Sequence, residues 1–465
     1  MRVAWQSGVV QALIESGLTF THGDGTSGGI FTLGMLLSGL SPDEMCERWR
    51  TLDVGDFTSF MPIGEYLKSP TNLIAVGSAE GLVEKVYPHL GIDVDRIHGA
   101  RGMDGTFNVC DFTDKVIDVV PHTEIEVDLL VAGMSLPIFL PPVARGDRIY
   151  TDAVWIKDAN LTEALRRGVE EIWLVWCIGN TGRYATGPLE QYVHMIEMSA
   201  NGALFWELEL IADVNRRRAA GEVVHGSSRP TRVHVVKPEY PLPLDPDFYL
   251  GRIRAETLVA MGYRDACRYL ESLPAEGVGL DAGATKMREP PLGVRFTERF
   301  SGTVTLDGAE GELTLDVGVE SHDLEATSGD LVGRIHFAPW GEPIHLAGGR
   351  FGVVTTGPDG DTTTEVTYEA RVRRGGRALL LRGVKRLHDD PGFDLMSDAT
   401  TLHLTLHEDP PDAVVASGSL RAGLGDVRRT VSSLEPTGAH DLSDRAWVVA
   451  TVGRLLFGRF WADFT

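Results

Sequence analysis

Residues 1 to about 272 alternate between two hydrophobic patterns, which is typical of an α/β layered domain. Apolar residues within 5–14 recur at helical spacing, and Gly17 follows as a stop signal. Ser41 begins the sequence Ser-Pro-Asp-Glu, which predicts a helix with a capping box and proline in its first turn. The apolar run Ile172 to Ile178 predicts a buried strand.

The pattern changes after residue 274. Residues 275–291 are rich in small residues, glycine and proline, which favours a linker. Short alternating runs separated by Gly, Asp and Pro turns then predict an all-β domain: 302–306, 312–320, 363–373, 378–383 and 401–407. We therefore predict a first domain over 1–274 and a second, mostly β domain over 292–465.

The chain is predicted to end in an amphipathic helix over 443–464. Trp447 and Trp461 are among its aromatic residues, and Arg454 and Arg459 lie between them. This composition suits peripheral contact with a membrane surface. The alternative is a helix that packs on the β domain or on a partner chain.

Composition restricts the class of protein. The chain has 465 residues, of which 43% are hydrophobic, and no apolar run approaches the roughly 18 residues needed to cross a bilayer. A net charge of -23 disfavours nucleic acid as a partner. Four widely spaced cysteines predict reduced thiols rather than a metal or redox site. Without a secretory signal pattern, we expect a cytoplasmic protein.

The first candidate for chemistry is the G-x-S-x-G sequence Gly25–Gly29. It follows a short apolar stretch and precedes a helix-like run over 30–40. In this context Ser27 is a candidate nucleophile, because a sharp strand-to-helix turn exposes the hydroxyl and glycines tolerate the strained backbone. The alternative is a plain glycine-rich turn.

The second candidate is Asp152, which ends a strand that follows a predicted hairpin turn at Arg145–Asp147. A carboxylate at a strand end can accept the proton of a serine hydroxyl and so form a catalytic unit without histidine. Upstream, Leu136, Ile138 and Phe139 belong to an apolar segment that is either a substrate-binding wall or a buried loop.

Other polar residues have simpler interpretations. Asp158 precedes a helix predicted over 160–167 and fits a helix cap. Asp24 fits a local turn, and His22 lies too close to Ser27 in sequence to fold back onto it. In the β domain His403 and His407 would lie about 13 Å apart along a strand, too far to share one metal ion.

One further group in the β domain is His388 with Asp389 and Asp390. These side chains could bind a cation, but a solvated turn before Pro391 is the simpler interpretation.

Three segments in order resemble the patatin-like phospholipase family. They are Arg2 with Ser7–Leu18, then Gly25–Gly29, then Ser135–Asp152 with 160–175. The resemblance spans roughly the first 270 residues.

The resemblance implies a three-layer α/β/α fold that hydrolyses acyl esters of lipids with a Ser-Asp dyad. It implies Ser27 as the nucleophile and Asp152 as the base, without a metal or cofactor. It also implies that the nucleophile elbow and oxyanion region include the residues Gly25, Gly28, Gly29 and Arg2.

Two departures from the family pattern stand out. Ala153 and Val154 follow the aspartate where the family has glycine, and the family's first strand and glycine-rich oxyanion loop would precede Arg2. Either the sequence starts too late, or the chain is an inert relative that binds lipid or acts as a scaffold. Acyl transfer to an alcohol is a further alternative, because the same acyl-enzyme serves both reactions.

The second domain has a looser resemblance. Its segment Lys385–Leu406 is similar to an accessory domain of actinobacterial oxidoreductases of the cholesterol-oxidase type. This implies a lipid or steroid context.

Overall fold

The computed structural model describes residues 2–57, 75, 77–184, 186–243, 253–323, 328–356, 363–374, 376–388, 395–409, 413–439 and 442–457. The chain divides into two compact units. Unit 1 comprises Met1–Asp245 and Asp265–Arg288, and unit 2 comprises Pro246–Arg264 and Glu289–Thr465. The division falls within the helix Ala255–Glu271.

Unit 1 begins with the helices that the sequence predicts. Trp5 and Leu13 are buried on the first helix, and Gly17 follows it at φ +93°. The capping box is confirmed, since Ser41 Oγ accepts a hydrogen bond from the Glu44 amide and Glu44 accepts one from the Ser41 amide. The helices are α1 (Ala4–Glu15), α2 (Gly29–Leu37), α3 (Pro42–Thr51), α4 (Tyr87–Leu90), α5 (Val94–His98), α6 (Val127–Ala132), α7 (Leu161–Arg166), α8 (Pro188–Ala219) and the shared α9 (Ala255–Glu271).

The strands of unit 1 form two sheets. Strands β1 and β5 pair with successive parts of one edge of β2, β1 in parallel with Asp104–Asn108 and β5 antiparallel to Val109–Asp111. Strand β3 also pairs with β2, β4 forms a hairpin with β5, and β6 pairs with β7 in parallel. The strands are β1 (His22–Thr26), β2 (Asp104–Asp111), β3 (Val116–Pro121), β4 (Val143–Arg145), β5 (Arg148–Asp152), β6 (Glu171–Val175) and β7 (Arg232–Val236).

Two local predictions in unit 1 are confirmed. The strand predicted over 172–178 is confirmed up to Val175, where β6 ends, and the predicted turn at Arg145–Asp147 connects β4 to β5 with Gly146 at φ +62°. Helices and sheets alternate along the unit, as the hydrophobic pattern predicts. The three-layer arrangement stays a prediction.

Unit 2 is built from a closed antiparallel sheet. Strands β8 to β15 pair in sequence order, and β15 returns to β8 through Arg421 and Ser301. The strands are β8 (Gly293–Leu306), β9 (Ala309–Asp323), β10 (Ser328–Phe337), β11 (Ile344–Thr356), β12 (Thr363–Arg374), β13 (Arg377–His388), β14 (Thr401–Glu408), β15 (Val414–Arg421) and the short β16 (Glu435–Thr437), which adds to β8.

Helices α10 (Leu395–Thr400), α11 (Leu424–Ser432) and α12 (Leu442–Phe457) complete unit 2. Val448 and Leu456 of α12 are buried in the same apolar core as the strands. Packing on the β domain is therefore the correct alternative for the described part of this helix, whereas residues 458–465 lie outside the described residues. Among the described helices, none is long and apolar enough to cross a bilayer.

Candidate active site

The register of the first sheet brings two distant parts of the chain together. Asn108 and Val109 are neighbours on β2, and they pair with Thr26 of β1 and Asp152 of β5 respectively. Strand β1 ends at Thr26 and β5 ends at Asp152. Because β3 pairs with residues 106–111 along the other edge of β2, β1 and β5 share one edge and meet end to end there, which brings Ser27, just after Thr26, next to Asp152.

Ser27 occupies the turn from β1 to α2 in a left-handed backbone conformation, at φ +49°. Glycines make this tight turn possible. A Cβ on Gly28 would lie 2.2 Å from Val3 Cγ2, and one on Gly25 would lie 3.0 Å from the Gly29 carbonyl oxygen. A non-glycine residue at positive φ is a strained feature that is enriched at functional sites.

The Ser27 hydroxyl donates a hydrogen bond to Asp152, with 2.8 Å between Oγ and Oδ2. The other carboxylate oxygen, Oδ1, accepts a bond of 2.9 Å from the Val154 amide. Asp152 is thereby the N-cap of the 3₁₀ turn Ala153–Trp155. Its amide donates to the Ser135 carbonyl at 3.2 Å, so backbone and side chain are both held in place.

The electrostatic environment suits a base near neutral pH. The Asp152 side chain is fully buried, and this burial raises its pKa to about 7. The hydrogen bonds from the Val154 amide and the Ser27 hydroxyl act in the opposite direction but do not offset the burial. Burial together with the Asp152 charge also raises the pKa of Tyr192 to about 12.

A polar network supports the strand that carries the serine. The Asn108 amide donates to Asp24 Oδ1 at 2.5 Å and to Thr26 Oγ1 at 2.9 Å. Its carbonyl oxygen accepts from Asn160 at 3.1 Å. No sequence motif marks Asn108, so the sequence alone does not identify it as part of the site. Its position opposite Thr26 follows only from strand register.

The rival polar residues occupy other roles. Asp158 is not a helix cap as predicted, because Asn160 is the N-cap of α7. Burial and the nearby Asp152 charge raise the Asp158 pKa well above its usual value, and Arg2 opposes this. The Ser27 hydrogen bond goes to Asp152 instead.

Asp24 and His22 of β1 are both engaged with β2. Asp24 lies in the strand itself, so the predicted turn is wrong, and its carboxylate bonds to Thr106 of β2. His22 also contacts the Thr106 hydroxyl, at 3.1 Å, and burial lowers its pKa to about 4. His22 is therefore neutral at physiological pH and engaged away from Ser27.

The apolar segment after Ser135 lies partly at the surface. Leu136 is partly buried against the core, whereas Ile138 is 59% exposed and Phe139 is 42% exposed. The buried-loop interpretation is wrong for these two residues. Ile138 also adopts φ +77°. Tyr192 of α8 holds this loop, since its hydroxyl donates to the Pro137 carbonyl at 2.8 Å.

No cluster of three or more metal-ligating side chains occurs within the described residues. His403 bonds to Ser419 and His407 to Thr405 on the closed sheet. Asp389 and Asp390 lie outside the part of the chain that the structure describes.

Comparison with known families adds to this geometry. Residues 1–165 match the family of patatin-like phospholipases. The matched segment runs from α1 into α7 and contains both Ser27 and Asp152. Patatin-like phospholipases generally hydrolyse lipid esters, so the match supports a hydrolase. No curated protein matches the chain. The similarity of 385–406 to an oxidoreductase accessory domain stays a prediction.

Proposed function

We propose that unit 1 is a serine hydrolase that cleaves lipid acyl esters with Ser27 as nucleophile and Asp152 as general base. The observation that carries this proposal is the 2.8 Å hydrogen bond from Ser27 Oγ to the buried Asp152 carboxylate. The pair needs no histidine, because a carboxylate whose pKa is near 7 can accept a hydroxyl proton at neutral pH. The patatin-like match supports a lipid ester as substrate.

In the first half of the reaction Ser27 Oγ attacks the ester carbonyl carbon, and its proton passes to Asp152 Oδ2. The tetrahedral intermediate then expels the alcohol oxygen, which takes the proton back from Asp152. This leaves an acyl group on Ser27 and an unprotonated Asp152. The partly buried serine is reachable, while the base stays enclosed.

The developing oxyanion needs hydrogen-bond donors. The amides of Gly28 and Gly29 stand at the N-terminal end of α2, where a helix leaves amide groups without partners within the helix and favours negative charge. The nearest backbone bonds of this turn are donated by Ile30 and Phe31 to the carbonyls of Ser27 and Gly28. We assign the Gly28 amide, next to the nucleophile, as an oxyanion donor.

In the second half a water molecule attacks the acyl-enzyme. Asp152 accepts the water proton, and the new tetrahedral intermediate collapses as Ser27 Oγ leaves and recovers that proton. The products are a fatty acid and the free enzyme. Leu136, Ile138 and Phe139 form the proposed wall for the acyl chain, since they follow Ser135, which holds the Asp152 backbone.

The test is hydrolysis of short and medium chain p-nitrophenyl esters by the parent chain and by Ser27→Ala and Asp152→Asn. Both substitutions should lower kcat/KM by at least about 1000-fold. Ser16→Ala and Asp158→Asn are matched controls, because Ser16 lies at the end of α1 and Asp158 is the neighbouring carboxyl group. Both controls should retain activity.

The outcomes separate the alternatives. Equal activity in the parent and Ser27→Ala would exclude the dyad. A folded parent without esterase activity would favour an inert lipid-binding protein. Ester product formed from an added alcohol, and lost in Ser27→Ala, would identify acyl transfer through the same intermediate.

A further inference from the structure

Helix α8 exposes a row of large apolar side chains to solvent. Met195, Met198, Trp206 and Leu210 are 47%, 64%, 75% and 42% exposed, and we call these four residues the α8 stripe. With 3.6 residues per turn they fall within about 120° of the helix circumference. From first to last they extend about 22 Å along the helix.

The stripe is not the core-facing side of the helix. Leu204, Leu208 and Ile211 are buried on α8 and belong to an apolar core of unit 1. A surface helix of a globular protein normally carries polar residues opposite its buried face. Across the fully described range 195–210, Glu209 is the one charged residue in an exposed position. The exposed face is thus both apolar and nearly uncharged.

The stripe continues into the candidate active site. At the N-terminal part of α8, the Tyr192 ring lies 5.2 Å from the Phe139 ring and 5.6 Å from the Trp155 ring. Trp155 ends the turn that Asp152 caps, and Phe139 and Ile138 are exposed in the loop beside it. An apolar surface therefore leads from the stripe to the dyad.

We propose that the α8 stripe, with Ile138 and Phe139, docks unit 1 onto an electrically neutral lipid surface. The proposal rests on the proposed function, because a hydrolase of lipid esters must reach substrate that is assembled in such surfaces. Because this apolar surface is continuous with the dyad, lipid is a better candidate than a second copy of the chain for what covers the stripe. The near absence of charge on this face, and the net charge of -23, favour zwitterionic over anionic lipid. Exposed Trp and Met side chains suit insertion at a lipid interface.

The binding experiment uses flotation with phosphatidylcholine vesicles, with every chain carrying Ser27→Ala so that no lipid is consumed. Adding Met198→Ser and Trp206→Ser should weaken vesicle binding by at least about tenfold, because both side chains lose apolar area that lipid would cover. Val414→Ser with Leu424→Ser is the matched control in unit 2, with parent exposures of 58% and 74%. This control should bind as the parent does. All substituted side chains are exposed, so thermal melts should coincide.

A second measurement separates docking from chemistry. With Ser27 intact, the Met198→Ser, Trp206→Ser chain should cleave a water-soluble short-chain ester as the parent does, but should need about tenfold more vesicle-dispersed substrate for the same rate. If the parent did not cleave the soluble ester, the proposed function would be refuted, whereas the binding result would be unaffected. The docking proposal would be overturned if the Ser27→Ala chain failed to bind vesicles. It would also be overturned if adding Met198→Ser and Trp206→Ser to that chain left vesicle binding unchanged. A parent dimer that the stripe substitutions dissociate without change in vesicle binding would assign the stripe to a second copy.

Discussion

Replacing Asp152 by asparagine should abolish activity and also stabilise unit 1 at alkaline pH. The carboxyl group has an ordinary pKa of 3.8 and a pKa of about 7 in the folded chain, because it is fully buried. Between these values the folded state holds a proton that the unfolded state has released. The stability of the parent therefore falls as pH rises through this window, and the full cost is present above about pH 7.

The magnitude follows from the two pKa values. At 1.36 kcal/mol per unit, the cost in the parent is about 1.7 kcal/mol at pH 5 and about 4 kcal/mol at pH 8. Asparagine carries no charge, so its stability advantage should grow by about 2.5 kcal/mol between pH 5 and pH 8. Weaker hydrogen bonds to Ser27 and Val154 reduce the advantage by a similar amount at both pH values, which leaves the difference unchanged.

The assay is urea unfolding of the parent and Asp152→Asn at several pH values, followed by tryptophan fluorescence. Asp147→Asn, in the exposed β4–β5 turn, is the matched control and should show no growing advantage. A stability difference that is constant from pH 5 to pH 8, or that favours the parent at pH 8, would refute the argument that burial governs the Asp152 carboxyl group.

Three further predictions concern activity and packing. First, kcat/KM for soluble esters should rise with pH to a plateau through an apparent pKa of about 7, since Asp152 must be unprotonated, and a flat profile from pH 5.5 to 8.5 would contradict this role. Second, Gly28→Ala should destabilise unit 1 by about 1–3 kcal/mol, because the new Cβ would lie 2.2 Å from Val3 Cγ2. In a double-mutant cycle measured by urea unfolding, Val3→Ala should recover most of this lost stability. Third, Lys385→Met should destabilise unit 2 by about 3–5 kcal/mol, because it leaves Glu298 buried without its 2.6 Å ion pair. The double variant with Lys385→Met and Glu298→Gln should lose less stability. Equal losses in thermal unfolding would contradict the role of the unpaired Glu298 charge.

Local sequence signals are sufficient to predict structural features that depend on interactions between nearby residues. The capping box at Ser41 and the stop at Gly17 depend on residues within one or two turns, and both are confirmed. Strand β11 is hard to predict from sequence because its alternation is interrupted. Its core residue Leu346 and its core residues Phe351 and Val353 lie on either side of a register shift between Ala347 and Arg350, so the apolar face changes side along the strand.

In the candidate site, too, the sequence predicts the features with local signals but not those that depend on strand register. A motif marks Ser27, and a strand end marks Asp152, but the sequence alone does not measure the separation of two residues 125 positions apart. That separation depends on the register of β1 and β5 on β2. The same register turns Asp24 from a predicted turn residue into a strand residue. The exposed apolar face of α8 is also not readable from composition, because apolar residues occur on both sides of the helix.

Three features that cost stability occur at Ser27, at Asp152 and in the loop that follows Ser135. Ser27 adopts a positive φ outside any hairpin, Asp152 is buried and no cation among the described residues bonds to it, and Ile138 combines a positive φ with an exposed apolar side chain. By contrast, the buried Lys385 and Glu298 of unit 2 neutralise one another. Folding alone gives no reason for three unfavourable features to occur in segments that hydrogen bonds join to one another, from Ser27 to Asp152 and from Asp152 to Ser135. A reactive hydroxyl, its base and the surface that delivers an apolar substrate require all three.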